Sequence, residues 1–343
     1  MKTPLIYLFA LISVLASLLY LSGCATDTIG LQPLPDTIEE ELQKAVYDGF
    51  DGIIVYVDQG EQASSYSAGW KNREKQIPAD PQALFKIASI SKLYIAAATT
   101  KLIVSEQLSL DQTLAELIPE VVGRIEYADE ISLKMMLQHR SGLIDYSFEP
   151  EVEGETYEDY LSFAARIFDK PSLFKPNKKY AYSNTNYLLI GEILDRTLGY
   201  SHHDYIHNEI LMPLGLTNTY SVYSQVDSNE VMSGYLVDWE PDVKSWDFPL
   251  PGGSMVATAE DVGLFLRALI DGTLFTEKEQ AIYSSVYEYE HTGWLPGYTS
   301  IARYHPDIDA VVVQFVNTSA NELFWLRLTL LYGRLVQILE RNS

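Results

Sequence analysis

Phe85-Lys86-Ile87-Ala88-Ser89-Ile90-Ser91-Lys92 is the stretch on which the fold turns. It opens Ser89–Val104, an alanine-rich run that is apolar nearly all round, and this predicts a buried central helix. A serine at a helix start sits beside unsatisfied N–H groups and the positive end of the helix dipole. Both favour negative charge, as a forming alkoxide or oxyanion requires. Lys92, three residues on, shares the serine's helix face. Apolar surroundings lower a lysine's pKa, so Lys92 could take the serine's proton. Alone, S-x-x-K reads equally as a capping serine beside an unrelated lysine. Ser91 is a rival nucleophile, but it has Tyr94 at the third position.

Working outward, Gly52–Val57 and Ser64–Gly69 are strand-like around the Asp58-Gln59-Gly60 turn. Before them, Thr37–Tyr47 has helical spacing and an acidic first turn. Helical signals dominate from about Leu110 to Leu216, broken near Ser141 and Phe174–Tyr182, and Ala259–Ile270 is amphipathic. Thr299–Tyr304 and Ala310–Val316 are again strand-like around His305-Pro306-Asp307, and Leu323–Leu339 predicts a closing helix. Strands at both ends with helices between them imply an α+β fold. The expected architecture is one antiparallel β-sheet flanked by helices, with an inserted all-helical subdomain and a cleft at the junction.

Two further segments could supply that cleft. In Tyr182-Ser183-Asn184, residues two apart on an extended chain face the same side, so Tyr182 and Asn184 point in together. A phenol near cationic groups can relay protons, and an amide can hold a substrate carbonyl and fix a lysine. In His291-Thr292-Gly293-Trp294, a glycine lets a substrate backbone lie alongside the strand, and the N–H just beyond can serve an oxyanion. Separately, each segment also reads as an ordinary loop.

In order, S-x-x-K, Y-x-N and H-T-G resemble the serine β-lactamase and penicillin-binding-protein superfamily. The tyrosine of the second motif resembles class C β-lactamases and the related D-alanyl-D-alanine carboxypeptidases and esterases. Class A enzymes have a serine there and an E-x-x-L-N that this chain lacks. The resemblance extends through Ile131–Leu143, Tyr182–Gly191, Pro213–Leu216 and Gly252–Val262, roughly residues 40 to 320. It implies that Ser89 attacks a carbonyl to form an acyl-enzyme, with Lys92 and Tyr182 sharing the base role. It further implies that Asn184 positions Lys92 and the substrate, and that Thr292 and Gly293 line the substrate. The N–H groups of Ser89 and Trp294 would form the oxyanion hole, and no metal or organic cofactor is needed. His291 is a departure, since most β-lactamases carry lysine there. A histidine is only partly charged near neutrality and anchors a carboxylate less well. The substrates implied are D-alanine-type peptides or small amides and esters. The alternatives are a class C-like β-lactamase and a catalytically silent penicillin-binding scaffold.

The N-terminus reads separately. Lys2, the apolar run Leu5–Leu21 and Leu21-Ser22-Gly23-Cys24 form a signal-peptide layout, and the last four residues resemble a lipobox. Residues 1–23 are therefore expected to be removed and Cys24, the sole cysteine, to carry lipid. Residues 24–36 would form a tether and 37–343 the folded domain. This places the chain on the periplasmic side of a bacterial envelope, at the outer membrane rather than the inner, since Ala25 is not the retaining aspartate. With 47 acidic and 24 basic residues the charge is −23, which repels nucleic acid. His202, His203 and His207 could suggest a metal site, but they lack a carboxylate at a familiar spacing. His139 reads as a structural loop residue.

Overall fold

Alternating apolar side chains build the central sheet because each face meets its own helical layer. The computed structural model describes residues 33–60, 62–150 and 159–342. Cys24, the leader and the first part of the tether lie outside them. Strands β1 (Gly52–Asp58), β2 (Ala63–Asn72) and β3 (Ile77–Pro78) come from the N-terminal part of the chain. Four two-residue strands follow: β4 (Phe85–Lys86), β5 (Thr219–Tyr220), β6 (Tyr235–Leu236) and β7 (Val256–Ala257). The C-terminal part adds β8 (Glu290–Leu295), β9 (Tyr298–His305), β10 (Ala310–Val316) and β11 (Thr318–Ser319).

The main sheet has the order β3-β2-β1-β10-β9-β8 and is antiparallel throughout. Its centre is the pairing of β1 with β10, Ile53 opposite Val316, so the two ends of the chain share one sheet, as expected. Small sheets β4-β7-β5 and β11-β6 lie beside it.

Six helices reach ten residues or more among the described residues: α1 (Ile38–Tyr47), α2 (Ser91–Val104), α3 (Asn184–Leu198), α4 (Ala259–Asp271), α5 (Glu277–Val286) and α6 (Glu322–Asn342). Ile53, Val55 and Val57 pack with α1 and α6, whereas Ile54 and Tyr56 face the larger core built on α2, α3 and α4. α2 is buried nearly all round, and Thr37 caps α1 by accepting from the Glu40 N–H. The middle of the chain is less helical than predicted. Between α2 and α3 the described residues hold only short helical turns, such as Leu114–Leu117 and Leu133–Leu137, joined by hydrogen-bonded loops.

The end of the expected tether is hydrogen-bonded to α6. Pro33 O accepts from Arg334 Nη2 at 3.1 Å, and Pro35 O accepts from Arg341 Nη2 at 2.6 Å. Arg334 also reaches Glu41 through two bonds of 2.6 and 2.8 Å, a buried pair that ties α6 to α1. No helix among the described residues is long and apolar enough to cross a membrane.

Candidate active site

Three segments converge at one edge of the main sheet: the turn entering α2, the chain entering α3, and strand β8. Ile87 N donates to Met255 O at 3.0 Å, and Ala88 then adopts φ +53°. That left-handed conformation costs a non-glycine residue about 1–2 kcal/mol. Ala88–Ile90 forms a single 3₁₀ turn, so the α-helix starts at Ser91 rather than at Ser89. Ser91 is what secures this turn. It is fully buried, its Oγ donates to Ala88 O at 2.6 Å, and it accepts from Met255 N at 3.2 Å. The rival nucleophile is therefore spent on the backbone. Of residues 88–92 only Ser89 is partly exposed.

Lys92 is buried beneath Ser89. Its Nζ lies 3.0 Å from Ser89 Oγ, 2.9 Å from Asn184 Oδ1 and 2.8 Å from Gly252 O. Burial pulls its pKa down to about 7, against an opposing pull from Asp145. A neutral amine has two N–H donors and one lone pair. The acceptors on Asn184 and Gly252 take the donors, which leaves the lone pair facing Ser89.

Tyr182 approaches from the other side, its hydroxyl donating to Ser89 Oγ at 2.8 Å. Burial, and then the nearby Asp145 charge, hold this phenol well above its ordinary pKa, although the bond to Ser89 works the other way. Lys92, not Tyr182, is thus the group poised to titrate near neutrality, a distinction that the sequence could not make. Ser183 points away as predicted, its Oγ donating to Ile144 O at 3.1 Å.

Two supports escaped the sequence reading. Asp145 Oδ2 accepts from both Asn184 N (3.0 Å) and Asn184 Nδ2 (2.9 Å), which turns Asn184 Oδ1 toward Lys92. Gly252, at φ +79°, supplies the carbonyl for Lys92, and a Cβ there would stand 2.9 Å from Tyr187 Cβ. Only the order of Asn184, Asp145 and Gly252 in space reveals them. His139 holds a structural place in the loop beside the site. It is buried, its Nδ1 accepts from Ser183 N at 3.2 Å, and its ring stacks on Tyr182 at 4.4 Å.

Strand β8 closes the site. A Cβ at Gly293 would lie 2.2 Å from Ser300 Oγ and 2.5 Å from Ile87 O, so only glycine lets the strand reach the turn that carries Ser89. His291 and Thr292 line the cleft, and the Trp294 side chain is half exposed beside it. Burial and the nearby Lys92 lower the His291 pKa to about 3, so its ring is neutral rather than partly charged. Ser89 opens into a cavity of about 550 Å³ that also reaches Trp325 and Glu322 of α6. A second cavity of about 520 Å³ lies across the Tyr182–His291 wall, with Arg140, Glu288 and Arg303 on its sides.

His202 and His203 lie in the helix His202–Ile206, whereas His207 begins a π-helical turn to Leu211. His202 Nδ1 pairs with Asp195 Oδ1 at 2.7 Å. Among the described residues, no three His, Cys, Asp or Glu side chains are arranged to hold a metal.

Comparison with known proteins shows the family. The family described as Beta-lactamase matches residues 38–287. The chain belongs to the beta-lactamase family. The match carries the S-x-x-K and Y-x-N segments and stops just before β8. Protein flp of Staphylococcus aureus (strain COL) is 27% identical over 245 residues, covering 69% of this chain and 48% of that protein. Penicillin-binding protein 4* of Bacillus subtilis (strain 168) is 26% identical over 225 residues, or 64% of this chain and 47% of that one. The chain thus spans about half the length of these curated relatives. Among solved structures, D-amino acid amidase from Ochrobactrum anthropi SV3 superposes with a TM-score of 0.78 at 22% identity, covering 89% of this chain and 98% of that one. A penicillin-binding protein from Bacillus halodurans gives 0.71 at 20% identity, over 82% and 96%. The mixed helical and antiparallel fold is the one these solved structures share.

Proposed function

We propose that the protein hydrolyses small amides or esters, D-alanine-type peptides among them, through an acyl-enzyme on Ser89. The observation that carries this reading is the placement of Ser89 Oγ. It lies 3.0 Å from the Lys92 amine, whose other contacts leave a lone pair toward it, and it accepts the Tyr182 hydroxyl at 2.8 Å. On attack, the Oγ–carbonyl bond forms and the Ser89 proton passes to Lys92 Nζ. The proton then returns, through the Tyr182 hydroxyl, to the nitrogen or oxygen that leaves as its bond to the carbonyl breaks. Water then attacks the acyl carbonyl and gives a proton to the same pair, which passes it to Ser89 Oγ as the ester bond breaks and the acid leaves. The N–H groups of Ser89 and Trp294 hold the developing oxyanion; single donors of this kind are worth about 3 kcal/mol in barrier.

The neutral His291 supports amide or ester hydrolysis over β-lactamase activity, because a β-lactam's carboxylate finds no cation there. Cys24 and the leader support lipid attachment on the periplasmic side of the bacterial envelope, at the outer membrane rather than the inner. A turnover panel tests the reading: a chromogenic cephalosporin, a D-Ala-D-Ala peptide and a short-chain nitrophenyl ester. Hydrolysis of the ester or peptide well above that of the cephalosporin, lost in Ser89→Ala, is expected. Turnover that survives Ser89→Ala would refute it.

A further inference from the structure

The cavity above Ser89 has a sign. Besides the catalytic groups and Thr292 it is walled by Trp294 on β8 and by Ala320, Asn321, Glu322 and Trp325 at the start of α6. Glu322 is its one lining carboxylate, and no lining residue is an arginine or lysine. Among the described residues Glu322 has no ion-pair partner, so its charge is not spent within the fold.

The start of α6 could in principle attract an anion instead, through its unsatisfied N–H groups. That role is already filled: Asn321 Oδ1 accepts from Leu323 N at 3.1 Å and Phe324 N at 3.3 Å. The remaining charged side of this helix end is Glu322. Trp294 and Trp325 bring two indoles to the same cavity, and Trp294 is 52% exposed. Indole faces attract cations and also cover apolar groups. The net charge of −23 draws cations toward the whole molecule.

We propose that the Ser89 cleft selects substrates carrying a protonated amine beside an apolar side chain, with Glu322 as the specificity-determining residue for the ammonium. Trp294 and Trp325 cover the apolar side chain and add cation–π attraction. This rests on the acyl-transfer reading of Ser89 and narrows it: amides or esters of free amino acids fit the cleft, and substrates that present a carboxylate to it are disfavoured.

The test uses phenylalanine amide, its N-acetyl form and its N-succinyl form, each as both enantiomers, with ammonia release measured at pH 7. In the preferred enantiomer, the wild type should favour the free amine over the N-acetyl form at least tenfold in kcat/KM, with the N-succinyl form slowest. Glu322→Gln should cut that amine-to-acetyl ratio about tenfold, and Glu322→Lys should move the preference toward the N-succinyl form. Because a ratio is read within one preparation, partial unfolding of a variant cancels. An unchanged ratio in Glu322→Gln, or a fastest N-succinyl substrate in the wild type, would overturn the proposal. Fluorophosphonate labelling of Ser89 is run alongside. Labelling with none of the amides hydrolysed sinks the amine preference and leaves acyl transfer standing, whereas no labelling and no hydrolysis sinks both.

Discussion

Asp145→Asn should move the acid limb of the activity profile to lower pH. Lys92 must be neutral to accept the Ser89 proton, and burial sets its pKa at about 7, so kcat/KM rises with pH through that value. The Asp145 carboxylate opposes this by favouring the charged amine. The two charges are separated by the Asn184 amide, with a 2.9 Å bond on each side. That places them on the order of 7 Å apart, worth about 2 kcal/mol at an effective dielectric constant of about 20. Discounted for the open cleft, the loss of the charge should lower the Lys92 pKa by about one unit. The limb should then centre near 6 or just below. The plateau should fall too, because an asparagine oxygen cannot replace all four bonds that Asp145 accepts from Asn184 and Ser147. The assay is kcat/KM for a nitrophenyl ester between pH 5 and 9. A midpoint that stays at its wild-type position, or rises, would refute the electrostatic part of the reasoning even if the plateau drops.

Tyr182→Phe removes the hydroxyl that donates to Ser89 at 2.8 Å, and kcat should fall about 10²–10³-fold with KM little changed, as read by steady-state kinetics. Gly252→Ala puts a Cβ 2.9 Å from Tyr187 and 3.1 Å from Lys92 Cγ at a positive φ; a loss of about 2 kcal/mol in denaturant unfolding should accompany slower acylation. Arg334→Leu strands the buried Glu41 carboxylate and releases Pro33, and should cost about 3–5 kcal/mol at neutral pH in the same unfolding experiment.

Much of this was legible in the sequence because periodicity and punctuation are local. The β1–β2 hairpin shows in alternation around Asp58-Gln59-Gly60, and the pairing of β1 with β10 agrees with the longer strand-like runs lying toward the two ends of the chain. Ser89, Lys92, Tyr182 and Asn184 were readable because their spacing is fixed within short motifs, and the structure links them in one hydrogen-bonded chain from Tyr182 through Ser89 and Lys92 to Asn184. Asp145 and Gly252 were not, because their roles arise from long-range closure: one turns an amide, the other offers a backbone carbonyl. The neutrality of His291 was equally hidden, since it depends on burial and on a lysine that lies far off in sequence. The loops between α2 and α3 read as helix because apolar residues recur there. Their backbones instead close on one another, as where Leu114 N donates to Ile131 O at 2.8 Å.

The central claim is that Ser89, and not Ser91, forms the covalent intermediate. Intact-mass analysis after incubation with a fluorophosphonate tests it directly, on the wild type, Ser89→Ala and Ser91→Ala. A single adduct on the wild type, mapped to the peptide bearing Ser89 and absent from Ser89→Ala, is the predicted result. Ser91→Ala should still be labelled, more slowly, because its turn loses the bonds to Ala88 and Met255. An adduct that persists in Ser89→Ala, or that disappears only in Ser91→Ala, would contradict the account.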